Sequence, residues 1–177
     1  MIYLCEREIG FDRKCIGLPS IRGCRAVVVL TAKGMFGIHL NGSLNDGKKN
    51  KFAQFIATHP KGSAGTAIYA ATTDARSTYY VNQLREIAAA VGHIGDIYWS
   101  DPSIYDAGSA YVEARIVPSN NICIIKARAW DDADGSEKNR GDYVHGAART
   151  MANGSSPSKI VTNVDPSGMR AFYPIKV

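Results

Sequence analysis

The chain has 177 residues, with 21 Lys+Arg against 16 Asp+Glu for a formal net charge of +5, and it is 45% hydrophobic and 21% charged. High apolar content with low charge per residue excludes a chain that is mainly disordered. A membrane-spanning helix is excluded too, because apolar runs such as Ala26-Val27-Val28-Val29-Leu30 stop far short of the roughly 18 residues needed. The length predicts one domain over 1–177 with a sizeable core. The N-terminal Met1-Ile2-Tyr3-Leu4-Cys5 meets Glu6, Arg7 and Glu8 before an apolar segment forms. No cleavable signal peptide is therefore expected, although export by another route stays open.

Residues 1–23 carry little periodicity and read as an irregular lead-in. The β-branched run Cys24 to Thr31 reads as a buried strand, and Ala32-Lys33-Gly34 as a turn. Met35 to Leu40 returns as a second strand, closed by the turn signal Asn41-Gly42. Lys48 to Thr58 predicts a short helix with Phe52, Phe55 and Ile56 on one face, and Thr66 to Ala71 a strand. Residues 77–91 give the clearest helix, through Tyr80, Val81, Leu84, Ile87, Ala88 and Val91. Asp74 or Ser77 would cap its start and Gly92 its end.

Asp96 to Trp99 predicts a short strand, followed by two more, Ala110 to Val117 and Ile122 to Ala129, around Pro118-Ser119-Asn120-Asn121. Residues 131–141 read as a polar loop and 142–153 as a helix. Lys159 to Val164 and Arg170 to Val177 read as a closing hairpin around Asp165-Pro166-Ser167-Gly168. Hairpins outnumber strand–helix–strand units. The expected fold is therefore α+β, a largely antiparallel sheet or β-sandwich of about eight strands flanked by two or three helices.

Chemistry concentrates at Gly23-Cys24, which opens the first long strand, and at His39 in the returning strand. A cysteine nucleophile needs a thiolate, and a nearby imidazole can take the thiol proton. Glycine before the nucleophile lets the backbone bend, and the Cys24 amide could then donate to an oxyanion. With Lys33-Gly34 as a two-residue turn, Val28 faces His39, and Cys24 shares its face. The two residues would then lie four positions apart along the hairpin, roughly 13 Å at about 3.3 Å per residue. Catalysis needs them within about 4 Å, so this reading requires a bulge, a strongly coiled ribbon or a bend at Gly23. The competing reading is a small core thiol and a satisfied strand histidine.

Gly23-Cys24, a β run, a turn, and His39 fifteen residues after the cysteine resemble the catalytic hairpin of bacterial Cys/His protein-glutamine deamidases. That superfamily includes the cytotoxic necrotizing factor catalytic domain, the lethal-factor deamidases and the chemoreceptor glutamine deamidases. The resemblance covers residues 20–41, and 66–99 match in coarse element order. Leu18 stands where some members carry Thr, and Arg22 where the toxins often show Ser. Ser20 is the nearest hydroxyl and the candidate third catalytic group.

The resemblance implies a toxin- or effector-like bacterial enzyme, secreted into a host or target cell, that converts a target-protein Gln to Glu with release of ammonia. An amine in place of water would give transglutamination. Cys24 would be the nucleophile and His39 the acid and base, with Asn41, Gly42 and Ser43 at the substrate rim. The stretches Asn41 to Lys49 and Gly62 to Gly65 would supply the wider rim loops. No metal or organic cofactor is implied.

The four cysteines, Cys5, Cys15, Cys24 and Cys123, form no Cys-x-x-Cys pair, and no His-x₃₋₅-His pair exists. A structural zinc site is therefore not expected, and the thiols read as mostly reduced. Asp131-Asp132-Ala133-Asp134-Gly135 reads as an acidic turn, because a calcium-loop frame would put Trp130 and Gly141 at ligand positions. Lys48-Lys49-Asn50-Lys51 lacks interleaved aromatics and reads as a solvated face, so a nucleic-acid partner is not expected. The pI of about 9.0 suits an acidic protein surface as partner. Two alternatives stand beside the deamidase. One is another cysteine hydrolase, either a thiol protease or an amidase. The other is a non-enzymatic α+β binding module.

Overall fold

A computed structural model of the chain describes residues 1–72, 78–101, 109–117, 122–130, 149–152, 168–172 and 175–176. Its centre is the hairpin of β4 (Arg25–Thr31) and β5 (Gly34–Leu40). Ala32 and Lys33 make its turn. The Thr31 hydroxyl donates to the Gly34 carbonyl at 3.0 Å and accepts from the Lys33 amide at 3.2 Å. Gly34 has φ +143°, and a Cβ there would lie 2.8 Å from the Phe11 ring, so the turn needs glycine for two reasons.

β4 is apolar at every second position on both faces, and both faces are covered. Ala26, Val28 and Leu30 point toward a second sheet, whereas Val27 and Val29 point toward helices. This two-sided burial explains why the sequence shows a continuous apolar run instead of an alternating one.

Around the hairpin runs a seven-stranded sheet in the order β10-β2-β5-β4-β6-β7-β12. Its other strands are β2 (Glu8–Asp12), β6 (Gly65–Ala71), β7 (Asp96–Ser100), β10 (Arg149–Met151) and β12 (Ile175–Lys176). The facing five-stranded sheet has the order β1-β3-β8-β9-β11. It comprises β1 (Ile2–Tyr3), β3 (Cys15–Ile21), β8 (Ser109–Val117), β9 (Ile122–Trp130) and β11 (Arg170–Phe172). Pairing is antiparallel except between β1 and β3 and between β6 and β7. Leu4, Ile16, Leu18, Val112, Ala114 and Ile125 meet Val28, Leu30 and Met35 between the sheets. The helices α1 (Asp46–Thr58) and α2 (Thr78–Ala90) cover the outer face of the larger sheet with Phe52, Ile56, Leu84 and Ile87. Asn45 caps α1 by accepting from the Lys48 amide at 2.9 Å. Gly92, at φ +64°, ends α2 as expected. The α+β expectation is met by a two-sheet, mostly antiparallel sandwich with two helices among the described residues.

Four expectations are corrected. Residues 1–23 are not an irregular lead-in but carry β1, β2 and β3. The periodic signal is broken there because the chain changes sheet three times, through a left-handed Arg7 (φ 66°), through Arg13-Lys14 and through Arg22-Gly23. The hairpin turn is Ala32-Lys33, so Thr31 faces Gly34 and Ala26, not Val28, faces His39. The expected helix over 142–153 is a strand where it is described, since Arg149–Met151 pairs with β2. Arg170 to Val177 is not one continuous strand: β11 joins one sheet through β9 and β12 the other through β7. Asp74 and Ser77, the turn at 118–121, the acidic loop at 131–141, Lys159 to Val164 and Asp165-Pro166-Ser167 lie outside the described residues.

Candidate active site

Two crossings between the sheets meet at one end of the sandwich. The first is Cys5-Glu6-Arg7, between β1 and β2, and the second is Arg22-Gly23, between β3 and β4. Gly23 adopts φ +60° in open space, and Cys24 follows at the mouth of the cleft between the sheets, 4% exposed. The corrected register puts Cys24 on the His39 face, two residues along the strand from the position opposite His39. That offset is roughly 6.6 Å at about 3.3 Å per residue, half the value expected from sequence.

His39 is fully buried, and its Nδ1 lies 3.0 Å from the Leu4 carbonyl. A carbonyl only accepts, so Nδ1 carries the proton and Nε2 keeps a lone pair. Nε2 is buried and has no hydrogen-bond partner. Burial pulls the imidazole pKa below its usual value, opposed by the Leu4 carbonyl and the Glu6 charge. The Cys24 thiol does not bond His39; it donates to Glu6 Oε1 at 3.7 Å. Burial first, and the Glu6 carboxylate second, push the Cys24 pKa up to about 11. The Arg22 backbone and the Arg25 guanidinium act in the opposite direction. The thiol is thus turned toward Glu6, and His39 engages the protein through Nδ1 alone.

Glu6 links the remaining parts. Its side chain is exposed, and its second oxygen accepts from the Asn41 carboxamide. The Asn41 carbonyl accepts from Lys48 Nζ at 2.7 Å, and the Ser43 carbonyl from the same group at 3.0 Å. The Gly42 carbonyl accepts from Arg25. Arg25 is itself buried, with its guanidinium 4.7 Å above the Tyr80 ring of α2. Two cations therefore hold the Asn41-Gly42-Ser43 rim, Lys48 from α1 and Arg25 from β4 beneath Tyr80 of α2. Beside it, a groove of about 440 Å³ is walled by Asn45, Lys48, Lys51 and Ala152. The Ala152 amide bonds the Arg7 carbonyl at 2.6 Å, so the groove abuts the turn that carries Glu6.

Of the residues expected from sequence, Cys24, His39, Gly23 and Asn41 gather at this end. Ser20 sits in the bulge that β3 makes against β8, with φ +60°. Glu6 contacts the thiol and the Leu4 carbonyl contacts the imidazole. The Gly62 to Gly65 rim is a correction: Gly65 pairs with Thr31, at the opposite end of β4 from Cys24. Glu6 and Arg25 were missed by sequence reading. Glu6 lies in a stretch without periodicity, and Arg25 looks like the start of a strand. No cluster of three or more His, Cys, Asp or Glu side chains able to hold a metal exists among the described residues. No helix among them is long and apolar enough to cross a membrane. Comparison with known protein families, with characterised proteins and with solved structures yields no match to this chain.

Proposed function

We propose that the chain is a Cys/His amidohydrolase of the protein-glutamine deamidase kind, toxin- or effector-like, acting on a Gln of an acidic partner protein. The observation that carries this reading is the buried, unpartnered Nε2 of His39 on the same strand face as the Cys24 thiol. A buried polar atom without a partner calls for an explanation, and a catalytic role is one of them. When a primary amide enters the mouth, the thiol turns from Glu6 to His39 and gives its proton to Nε2. The sulfur bonds the amide carbon, and the C–N bond breaks as the imidazolium protonates the departing nitrogen to ammonia. Water then gives a proton to Nε2 and adds to the thioester carbon. The C–S bond breaks, leaving Glu on the target and restoring the thiol. Lys48 and Lys51 beside the mouth suit an acidic partner surface.

The test is intact-mass measurement on a treated target protein. It should show a gain of about one dalton per site with stoichiometric ammonia, and loss of both in Cys24→Ser, because turnover runs through the thiolate. Peptide fragments would indicate a protease instead. A non-enzymatic module is the second reading, favoured by the deep burial and raised pKa of Cys24. It is supported if no mass change occurs and the native thiol stays inert to alkylation.

A further inference from the structure

We infer that Glu6 is the carboxamide-recognising group of this site: its carboxylate accepts the N–H of a primary amide presented to Cys24 and repels the carboxylate that the reaction leaves. This rests on the amidohydrolase reading and deepens it. The geometry already contains a model of the recognition event. Glu6 Oε2 holds the side-chain carboxamide of Asn41, while Oε1 holds the Cys24 thiol at 3.7 Å. An ionised carboxylate has about four lone-pair sites and no donor. It can therefore keep Asn41 and still take an incoming N–H on the oxygen that faces the sulfur.

The exchange has two consequences. An amide N–H that occupies Oε1 displaces the thiol, which becomes available to His39 Nε2, a nitrogen with no protein partner. The nucleophile is thus released by the functional group it attacks. The product carries a carboxylate where the amide had been, and two carboxylates a few ångströms apart repel. Unlike the fully buried His39, the Glu6 side chain is exposed, so an incoming amide can reach it.

The experiment compares iodoacetamide with iodoacetate, reagents of nearly equal size that differ as amide and carboxylate. Each forms an S–C bond as the C–I bond breaks; iodide leaves and the thiol proton passes to His39 or solvent. Rates at Cys24 are read by peptide mass spectrometry on the native protein and in urea. The ratio of the two rates cancels changes in thiol nucleophilicity and isolates recognition of the amide. In the native chain the preference for iodoacetamide should exceed that in urea by about tenfold, from charge repulsion at close range. Glu6→Gln should abolish the excess and Glu6→Asp should keep part of it. Cys15 and Cys123 lie buried at the other end of the smaller sheet, opposite Arg115 and Ile116, and should stay protected and so report that each variant is folded.

An excess that survives Glu6→Gln overturns the proposal. So does a native Cys24 that resists both reagents yet labels in urea. The measurement needs no protein target. An excess that vanishes in Glu6→Gln supports Glu6 even if no Gln is ever deamidated. An unchanged ratio beside normal deamidation removes Glu6 alone.

Discussion

Two buried histidines mark opposite ends of the larger sheet, and their surroundings differ in kind. His93 follows α2, and its ring nitrogens lie 3.1 Å from the Gly65 carbonyl and 3.1 Å from the Asp96 carbonyl. A Cβ on Gly65 or Gly95 would come within 2.9 or 2.8 Å of the ring, so two glycines make room for it. His39 has one nitrogen on a carbonyl and the other buried with nothing to bond. At the turn end both ring nitrogens thus meet the protein, which closes that end around His93, whereas at the crossover end one nitrogen of His39 does not. A histidine engaged through both nitrogens serves packing, whereas an unengaged nitrogen leaves a place where chemistry can be put.

The largest expected effect breaks the closed end. Phe36 is fully buried and touches Phe11, Phe55 and His59. Phe36→Ala should cost about 3–5 kcal/mol in urea unfolding. The alkylation rate of Cys24 in the molecules that remain folded should be unchanged.

The second effect sharpens the contrast between the histidines. His93→Leu removes the side chain that bridges the Gly65 and Asp96 carbonyls and should cost about 1–3 kcal/mol, with the proposed deamidation retained. His39→Leu orphans only the Leu4 carbonyl and removes a nitrogen that had no partner. It should cost less, about 1 kcal/mol, but abolish turnover. Equal stability losses, or turnover surviving His39→Leu, would erase the distinction.

A third effect lies in pH. Burial lowers the His39 pKa in the folded state, so below the ordinary value of about 6.5 the unfolded chain binds a proton that the folded chain refuses. Stability therefore falls as pH drops through that value toward the folded pKa. His39→Gln should remove this part of the acid limb. On the alkaline side the sign is opposite. Cys24 titrates at about 11 when folded, and Cys15 and Cys123 at about 12, against 9.0 for an ordinary thiol. The unfolded chain loses these protons first, so stability should decline from about pH 9 up to about pH 12.

The smallest effect is a change in rate profile. Cys24 alkylation should rise with a midpoint near 11, and Glu6→Gln should move that midpoint down, because the carboxylate is the second cause of the raised value. A midpoint unmoved by Glu6→Gln would leave burial as the whole explanation.

Local pattern determined a good deal on its own. The apolar run over 26–30, the turn glycine at 34, the helical spacing from Tyr80 to Val91 and the glycine at 92 are short-range signals, and each element stands within two residues of its expected bounds. That Cys24 and His39 share a face also followed from strand parity, which survives a shift of two in register. Their offset did not, because turn type sets register: the Thr31 hydroxyl bonds that close the Ala32-Lys33 turn are side-chain contacts that spacing does not reveal. Glu6 was out of reach for a different reason. It approaches Cys24 only because two separate crossings between the sheets end at the same edge of the sandwich, and such a meeting is a property of topology. Arg25 reads from sequence as a strand residue, and it becomes a support for the Asn41-Gly42-Ser43 rim only once α2 packs over the sheet. Sequence thus determined which residues could react. Tertiary structure decided which groups face them, because strand pairing and sheet packing join residues far apart in the chain.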